Sequence, residues 1–265
     1  MINFSLDQTD SNRFPDVHIK LDTGLHRLGI SLNQISGMVT ELNANNHRVH
    51  VKSIYSHFIG SSSSELDAIT QNQADVFISN AQIIEKALGY NVIKHICDSG
   101  GIIHHTNFHL DMVRLGAGLY GIWSVDPKVE FQKVIASLFV PIIQIESVCE
   151  NETVGYTQHQ LNRTSLIGTI SIGYADGLRR CLNNGEGRVW IYNHRVPIIS
   201  ISMDMTMIDL TDVHELVKVN DEVEIFGEHI QIEEMAQWCN MSPYELLPGL
   251  GQRVKRIYVA KDNEN

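Results

Sequence analysis

The chain has 265 residues, of which 43% are hydrophobic and 19% are charged. This composition is that of an ordinary globular protein with room for one large domain or two small ones. The formal net charge of −11 argues against a nucleic-acid-binding surface, which needs a basic face. The longest apolar run, residues 134–145, is too short to cross a bilayer, and the polar N-terminal stretch has no secretion signal pattern. We therefore expect a cytoplasmic protein without nucleic-acid or membrane partners.

The cysteines are widely spaced and form no C-x-x-C pair, which predicts reduced, mostly buried thiols and neither a disulfide framework nor a metal site. They are Cys97, Cys149, Cys181 and Cys239. His105 and His109 stand four residues apart, a spacing that a metal could use on a helix. No H-E-x-x-H pattern accompanies them, so surface or core roles are favoured and no metal is expected.

The first half of the chain alternates strand-like and helix-like segments. The predicted strands cover residues 17–21, 49–57 and 92–97, with a further candidate at 112–119. Helices are predicted to follow Ser31 and Ser64, the second ending at Gly89. Such alternation indicates parallel βα units. Four units are about half of the eight needed to close a barrel, so the chain is expected to begin within a fold.

The pattern changes near residues 126–128, where strand-like segments take over. Strands are predicted at residues 138–148, 165–172, 188–192, 196–202, 207–210 and 222–226, with tight turns such as Asn193-His194 between them. A helix at 232–240, a segment at 243–250 and a closing strand at 254–260 complete the chain. We therefore predict a β/α domain over residues 1–125 and a β-rich domain over residues 126–265.

Two candidate site residues follow the first two strands, where βα barrels place ligands. Arg27, in the segment K-L-D-T-G-L-H-R-L-G, could bind a carboxylate through two hydrogen bonds. The alternative is a surface arginine paired with Asp22. His57 ends the second strand, where a histidine suits acid-base or orienting work. A satisfied core histidine is an equally good interpretation.

Further candidates follow the third strand and lie in the second half. The turn Ser99-Gly100-Gly101 and the glycines after Arg114 could present hydroxyl and backbone N–H groups to an anion, although each signal is weak alone. The alternative for the second is a glycine-rich barrel corner. In the second half, tyrosines stand beside glycines in V-G-Y and I-G-Y-A-D-G, and the segments S-M-D-M and P-Y-E follow.

The joint order of these segments is more specific than any one of them. D-T-G-x-x-R-L-G, S-H-F, H-x-x-x-S-G-G, M-V-R-L-G-A-G-L-Y-G, V-G-Y, I-G-Y-A-D-G, S-M-D-M-T-M-I-D-L and P-Y-E-L-L, followed by R-V-K-R-I-Y, resemble the run of motifs in bacterial alanine racemases, from Val17 to Tyr258. The resemblance implies a partial (β/α)8 TIM-type barrel, its C-terminal half, followed by the family's C-terminal β-rich domain. It also implies a homodimer with shared active sites.

The resemblance further implies an isomerase that interconverts L-alanine and D-alanine through a pyridoxal phosphate Schiff base, supplying D-alanine for peptidoglycan. Arg114 would face the pyridine nitrogen of the cofactor, and His95 would orient Arg114. Because a guanidinium does not readily lose a proton, it would leave that nitrogen unprotonated. The phosphate would be bound by Ser99, Gly116, Ala117 and Tyr244.

The remaining roles concern the substrate and the proton transfers. Tyr156, supplied by the other subunit, would be one of two catalytic bases, with His57 hydrogen-bonded to it. The substrate carboxylate would be held by Arg27 and by the backbone N–H of Met203. Two further residues complete the implied site, Tyr174 at its entrance and Lys20 as a carbamylated partner of Arg27.

The sequence departs from the family pattern in one large respect and three small ones. The lysine motif K-A-x-A-Y-G-H-G, which supplies the cofactor lysine and second base, is absent. Thr157, Asp98 and Met205 stand where glycine, asparagine and glutamine are usual. We therefore expect an inactive fragment or a part of a longer polypeptide. The alternatives are a racemase for another small amino acid such as serine, and a non-catalytic remnant or dimerisation module.

Overall fold

The computed structural model describes residues 16–44, 49–123, 135–183 and 185–259. The chain divides into two compact units. The first comprises Met1–Leu119 and Trp123–Gln132, and the second comprises Tyr120–Ile122 and Lys133–Asn265. The predicted domain boundary near residue 125 lies outside the described residues. No helix within the described ranges is both long and apolar enough to span a membrane.

The first unit contains a parallel sheet with the strand order β1-β2-β3. The strands are β1 (Asp16–Lys20), β2 (His50–Tyr55) and β3 (Ile93–His95). The helices are α1 (Ile35–Ala44), α2 (Asp67–Leu88) and α3 (Ser99–His104). Short 3-10 helices cover Leu32–Gln34, Ser64–Leu66, Thr106–Phe108 and Ala117–Tyr120. The predicted strand-helix alternation is confirmed up to β3, and α3 is an element that the sequence analysis missed.

Apolar side chains from the strands and helices of this unit meet in one core. Ile54 of β2 and Phe77 and Ile84 of α2 are fully buried. Helix α2 ends where predicted, because Gly89 adopts a φ of 77°, in the left-handed region that glycine enters without strain. The sheet is thereby covered by helices whose apolar faces point toward it, as parallel sheets require.

The further strand predicted at residues 112–119 is wrong. This segment makes two backbone hydrogen bonds with the β3 region, from Asp111 N to Lys94 O (3.1 Å) and from Arg114 N to Cys97 O (3.0 Å). It then turns away, because the N–H groups of Gly116 and Gly118 donate to a serine hydroxyl and Ala117–Tyr120 forms a 3-10 helix. The backbone at Gly116 and Gly118 therefore bonds to the serine hydroxyl and does not pair with a neighbouring strand.

The second unit is built on a closed barrel of antiparallel strands in the order β10-β7-β4-β11-β8-β9. These strands are β4 (Leu138–Val148), β7 (Ser165–Ile170), β8 (Arg188–Ile191), β9 (His194–Ile201), β10 (Thr206–Asp209) and β11 (Glu222–Phe226). A separate hairpin is formed by β5 (Thr153–Val154) and β6 (His159–Gln160). The helices are α4 (Ile232–Trp238) and α5 (Leu246–Gly249), with 3-10 helices at Tyr174–Asp176, Arg180–Asn183, Thr211–Val213 and Pro243–Glu245.

The barrel closes around one apolar core, whose residues alternate along the strands. Leu138, Val140 and Ile142 of β4 are buried, and the residues between them are exposed. The strands predicted in this half are confirmed within one or two residues at each end, apart from the closing one. The turn between β8 and β9 is formed by Tyr192 and Asn193, both with positive φ, rather than by Asn193 and His194.

Two expectations for the second half are wrong. Residues 254–259 form no strand, because the Arg256 guanidinium bends this segment by donating to the carbonyl oxygens of Leu250, Gly251 and Val254.

Cys181 and Cys239 form a disulfide with a Cα–Cα separation of 5.1 Å. Their spacing along the chain gave no sign of this. The pairing arises because Leu182 and Ala236, beside the two cysteines, pack into the same core. The remaining thiols are Cys97, which is buried, and Cys149, which is exposed rather than buried.

Candidate active site

The sheet register of the first unit aligns three candidate segments. Lys20 lies beside Tyr55, and Tyr55 lies beside His95, so the carboxyl ends of the three parallel strands reach the same edge of the sheet. His57 follows β2 and Ser99 follows β3 from that edge. Parallel strands therefore bring together residues that lie far apart in the sequence.

Arg114 is the most extensively bonded side chain at this edge. Its Nη1 donates to His95 Nδ1 (2.5 Å) and to His95 O (3.2 Å). Its Nη2 donates to Ser56 O (2.6 Å) and to Ile96 O (3.1 Å). The strand-end carbonyls that accept these bonds fix the guanidinium plane. Among the described residues, its Nε–H has no hydrogen-bond partner and is left as a donor.

His95 and Tyr55 support the guanidinium from neighbouring strands. Their rings stack at a centroid distance of 5.1 Å with an interplanar angle of 3°, and the Arg114 Cζ lies 5.4 Å from the Tyr55 ring centroid. Burial, and then the positive charge of Arg114, lowers the pKa of His95 to about 4. His95 is therefore neutral near pH 7. Its Nδ1 accepts from Arg114, because a guanidinium can only donate.

His57 lies between a cation and a carboxylate. Its Nδ1 is 3.4 Å from Arg114 Nη2, and its Nε2 is 3.7 Å from Asp98 Oδ2. Burial lowers the pKa of His57 from its ordinary value, the Asp98 charge opposes that shift, and Arg114 adds to it. The His57 side chain is 33% exposed, so it is not a core histidine.

Ser99 accepts hydrogen bonds from two backbone N–H groups of the glycine-rich segment. Its Oγ accepts from Gly116 N (3.0 Å) and Gly118 N (3.2 Å), leaving the hydroxyl hydrogen free to donate outward. A Cβ at position 118 would come within 2.5 Å of the Trp123 ring, so only glycine fits there. Because the Gly116 and Gly118 N–H groups are already bonded to Ser99 Oγ, the Ser99 hydroxyl is the donor left for an anion such as a phosphate group.

Lys20, the last residue of β1, and Arg27, in the segment that follows it, form a basic group. Burial and the neighbouring charges of Arg27 and Arg114 lower the pKa of Lys20, and Asp22 opposes this shift. Asp22 accepts hydrogen bonds from the N–H groups of Gly24 and His26 and contacts the His26 ring at 3.1 Å. The described structure shows no pairing of Asp22 with Arg27, so the surface-pair interpretation of Arg27 is not supported.

In the second unit, the segment I-G-Y-A-D-G carries Tyr174 and packs against the strand turn at Met203. The Tyr174 N–H donates to Ser202 O (3.0 Å), and the Ala175 N–H donates to Met203 O (2.9 Å). A Cβ at Gly173 would lie 2.4 Å from the Met203 carbonyl. This glycine therefore allows the close approach of the two predicted substrate-site residues, Tyr174 and Met203.

The same segment also joins the chain around Tyr244. The Gly251 N–H donates to Asp176 O (2.7 Å), and the Arg179 Nη2 donates to Glu245 O (3.2 Å). The Asp176 carboxylate, which is buried, pairs with Arg253 through two bonds of 2.7 and 2.6 Å. The Arg253 guanidinium thereby holds the pKa of Asp176 below its ordinary value.

Tyr156 stands at the tip of the β5–β6 hairpin, and its side chain is 86% exposed. The left-handed backbone angles of this turn fall on Gly155 (φ 68°) and Gln158 (φ 50°). Thr157 occupies the position where the family has glycine, and it needs no such angle. A Cβ on Gly155 would lie 2.2 Å from Ser200 Oγ, which explains the glycine before the tyrosine.

Several supporting residues were missed by the sequence analysis. Tyr55 stacks on His95, Ser53 Oγ contacts His95 Nε2 at 3.2 Å, and Ser61 Oγ donates to Asp98 Oδ1 at 2.5 Å. Ser53, Tyr55 and His57 alternate along β2 and its extension, which places them on one face of the strand. That period-2 spacing was a usable signal, whereas the contact of Ser61 with Asp98 depends on loop packing.

Known proteins match both halves of this sequence. Residues 5–124 match the family model "Alanine racemase, N-terminal domain", and residues 135–258 match "Alanine racemase, C-terminal domain". The chain is 33% identical to alanine racemase 1 of Oceanobacillus iheyensis over 92% of this chain and 66% of that protein. It is 33% identical to the alanine racemase of Helicobacter acinonychis, with coverages of 97% and 71%.

The chain belongs to the alanine racemase family. A solved structure of the Bartonella henselae alanine racemase with covalently bound pyridoxal phosphate aligns with a TM-score of 0.79 and 29% identity, over 91% of this chain and 66% of that one. The chain thus spans about two thirds of the length of its relatives. Its fold is part of the family's TIM-type barrel followed by the family's β-rich domain. Members of this family are pyridoxal-phosphate-dependent isomerases.

Proposed function

We propose that this chain contributes to the racemisation of alanine with pyridoxal phosphate as cofactor. The observation that carries the proposal is the arrangement around Arg114. Its Nη nitrogens are bonded to strand-end carbonyls and to neutral His95, and its Nε–H is left as a donor. This donor fits an unprotonated pyridine nitrogen. A carboxylate at this position would instead favour a protonated ring.

Within the first unit, Ser99, Gly116 and Ala117 would hold the cofactor phosphate, a role the family also gives to Tyr244. The bound cofactor supplies an electron sink that makes the substrate's α proton acidic. Arg114 fixes the ring nitrogen without giving it a proton, which limits how much negative charge the ring takes up. The basic pair of Lys20 and Arg27 suits a substrate carboxylate, and the lowered pKa of Lys20 favours the neutral amine that carbamylation requires.

Proton transfer needs a base on each face of the substrate's α carbon. We assign one face to the Tyr156 hydroxyl, which the family supplies from the partner subunit, and His57 would hydrogen-bond that hydroxyl. We assign Met203 N–H to the substrate carboxylate and Tyr174 to the entrance. The second base and cofactor attachment require the family's lysine motif, which this sequence lacks. We propose that the chain as written is inactive until that motif is supplied.

The experiment compares the chain as written with a form extended by a segment carrying K-A-x-A-Y-G-H-G. Each is incubated with pyridoxal phosphate and L-alanine, and D-alanine is measured by chiral chromatography. We expect D-alanine only from the lysine-bearing form. Cofactor binding without detectable D-alanine would overturn the reaction assignment. Parallel incubation with L-serine tests the alternative substrate.

A role in supplying D-alanine for peptidoglycan belongs to the same proposal, as does a homodimer with shared sites. Sedimentation of the lysine-bearing form measures its mass in solution. A monomer with full activity would contradict the shared-site assignment of Tyr156. The Tyr156→Phe protein can also be mixed with a variant whose first unit is inactive. If subunits exchange at random, about a quarter of all active sites should then combine an intact first unit with an intact Tyr156 and regain activity.

A further inference from the structure

Asp98, which stands where the family usually has asparagine, is held in a fixed orientation. Its Oδ1 accepts from Ser61 Oγ (2.5 Å) and from the Gly101 N–H (3.1 Å) as it caps helix α3. Its Oδ2 is left to face His57 Nε2 at 3.7 Å. The two oxygens thus have separate partners, and the carboxylate cannot turn without losing two hydrogen bonds.

The proton positions on His57 follow from its neighbours. Nδ1 faces Arg114 Nη2 at 3.4 Å, and a guanidinium has donors only, so Nδ1 must present its lone pair. The proton of the neutral ring therefore lies on Nε2, which points toward the Asp98 carboxylate. The Arg114 guanidinium is itself fixed by Ser56 O and Ile96 O. The arginine, histidine and carboxylate thus form an ordered row.

We propose that Asp98 is a positioning residue that pairs with His57 and holds its ring with the proton on Nε2. An asparagine in the same orientation would do the opposite. Its oxygen would have to accept from Ser61 and Gly101, so its NH₂ group would face the Nε2–H of His57, donor against donor. The pairing rests on the proposed function only in placing His57 beside the reacting groups.

The charges around His57 give the direction of the effect. Asp98 is the carboxylate that raises the pKa of His57, while burial, Arg114, Arg27 and Lys20 lower it. Asp98→Asn removes the group that opposes the other four influences. We therefore expect His57 to titrate at a lower pH in that variant than in the wild-type chain.

The test uses the full chain labelled with ¹⁵N, without cofactor. Two-bond ¹H–¹⁵N correlation spectra report which ring nitrogen carries the proton, and a pH titration gives the pKa of each histidine. The signals of His57 are assigned by their loss in His57→Gln. We expect the Nε2–H form in the wild-type chain and a downward shift of the His57 pKa in Asp98→Asn.

A matched control exists in the same unit. His105 Nε2 also lies 3.7 Å from a carboxylate oxygen, that of Asp67. Asp67→Asn removes a carboxylate at the same distance from a different histidine, so it should leave the titration of His57 unchanged. Ser61→Ala keeps the charge of Asp98 but removes one anchor, so it should shift His57 in the same direction by a smaller amount.

Two results would overturn the proposal, namely a wild-type His57 with its proton on Nδ1, or a pKa that Asp98→Asn leaves in place. If Asp98→Asn fails to fold, the proposal is still tested by the position of the His57 proton in the wild-type chain and by the His57 pKa in Ser61→Ala. Since no readout needs turnover, a negative result leaves the racemase proposal standing. An inactive lysine-bearing form likewise leaves the Asp98–His57 pairing standing.

Discussion

His95 is a buried base that the folded chain keeps neutral. Its pKa falls to about 4 through burial and the adjacent Arg114 charge, whereas an unfolded histidine titrates near 6.5. Below pH 6.5, His95 binds a proton in the unfolded chain but stays unprotonated in the folded chain. This residue therefore makes the free energy of unfolding fall as the pH drops, by roughly 2 kcal/mol between pH 7 and pH 5.

Urea unfolding of the first unit, followed at both pH values, measures this contribution. In His95→Gln the loss of stability between the two pH values should shrink by about that amount, roughly 2 kcal/mol. His104→Gln is the control, because His104 is exposed on helix α3. An unchanged pH dependence in His95→Gln would show that His95 titrates alike in the folded and unfolded chains.

Tyr156 can be tested with little risk to the fold. Its ring is exposed, and the turn that carries it is shaped by Gly155 and Gln158, so removing one hydroxyl should leave the hairpin intact. In the lysine-bearing form we expect Tyr156→Phe to lower racemisation by about 10²–10⁴-fold, the usual weight of a positioned base. Chiral chromatography measures the rate, and cofactor absorbance should persist. Unchanged turnover would remove Tyr156 from the mechanism.

The disulfide ties the 3-10 helix at Arg180–Asn183 to the end of α4. The two cysteines are 58 residues apart, and closing so long a loop restricts the unfolded chain. We expect the double variant Cys181→Ala, Cys239→Ala to lose about 2–4 kcal/mol of unfolding free energy in the second unit. Equilibrium denaturation under oxidising conditions measures the loss. The exposed Cys149→Ala is the control, and equal stability of all three proteins would contradict the cross-link.

Element by element, the sequence predicted what depends on local pattern and failed where distant packing decides. Helix α2 and its end at Gly89 were predicted because helical periodicity and a left-handed glycine are local signals. The segment after Asp111 looked like a strand, but Ser99, more than ten residues earlier, takes its glycine N–H groups. The disulfide was missed for the same reason, because packing brings together two cysteines that are 58 residues apart.

The candidate site shows the same division. Arg114 and His95 could be named from motif order, and strand alternation could have added Tyr55. The role of Asp98 could not be read from the sequence, because it depends on Ser61 from a different loop and on the ring orientation of His57. Barrel closure in the second unit was also hidden, since the strands could be counted but not their order, in which β4 lies between β7 and β11.

At the scale of the whole molecule, the two units differ in whether each strand pairs with a neighbouring strand on both of its edges. In the first unit, β2 is the only strand that pairs with β1 or β3 among the described residues, and the outer edges carry only single backbone bonds, from Ile30 N to Lys20 O and from Asp111 N to Lys94 O. In the second unit, every barrel strand has two neighbours, so the barrel presents no unpaired edge. Its core is continuous from β4 to α4 and is closed further by the disulfide. The second unit therefore has the features of an independently folding domain.

We accordingly expect a fragment of residues 133–265 to fold by itself. Its thermal unfolding should be a single cooperative transition, with a midpoint within a few degrees of the second unit's transition in the full chain, because its core and cross-link lie entirely within it. Residues 1–132 are the matched comparison. With two strand edges that lack a second neighbour in the described structure, this fragment should unfold at lower denaturant or associate. Circular dichroism and sedimentation measure both. A fragment of residues 133–265 that lacks a cooperative transition would mean that the barrel depends on the rest of the chain.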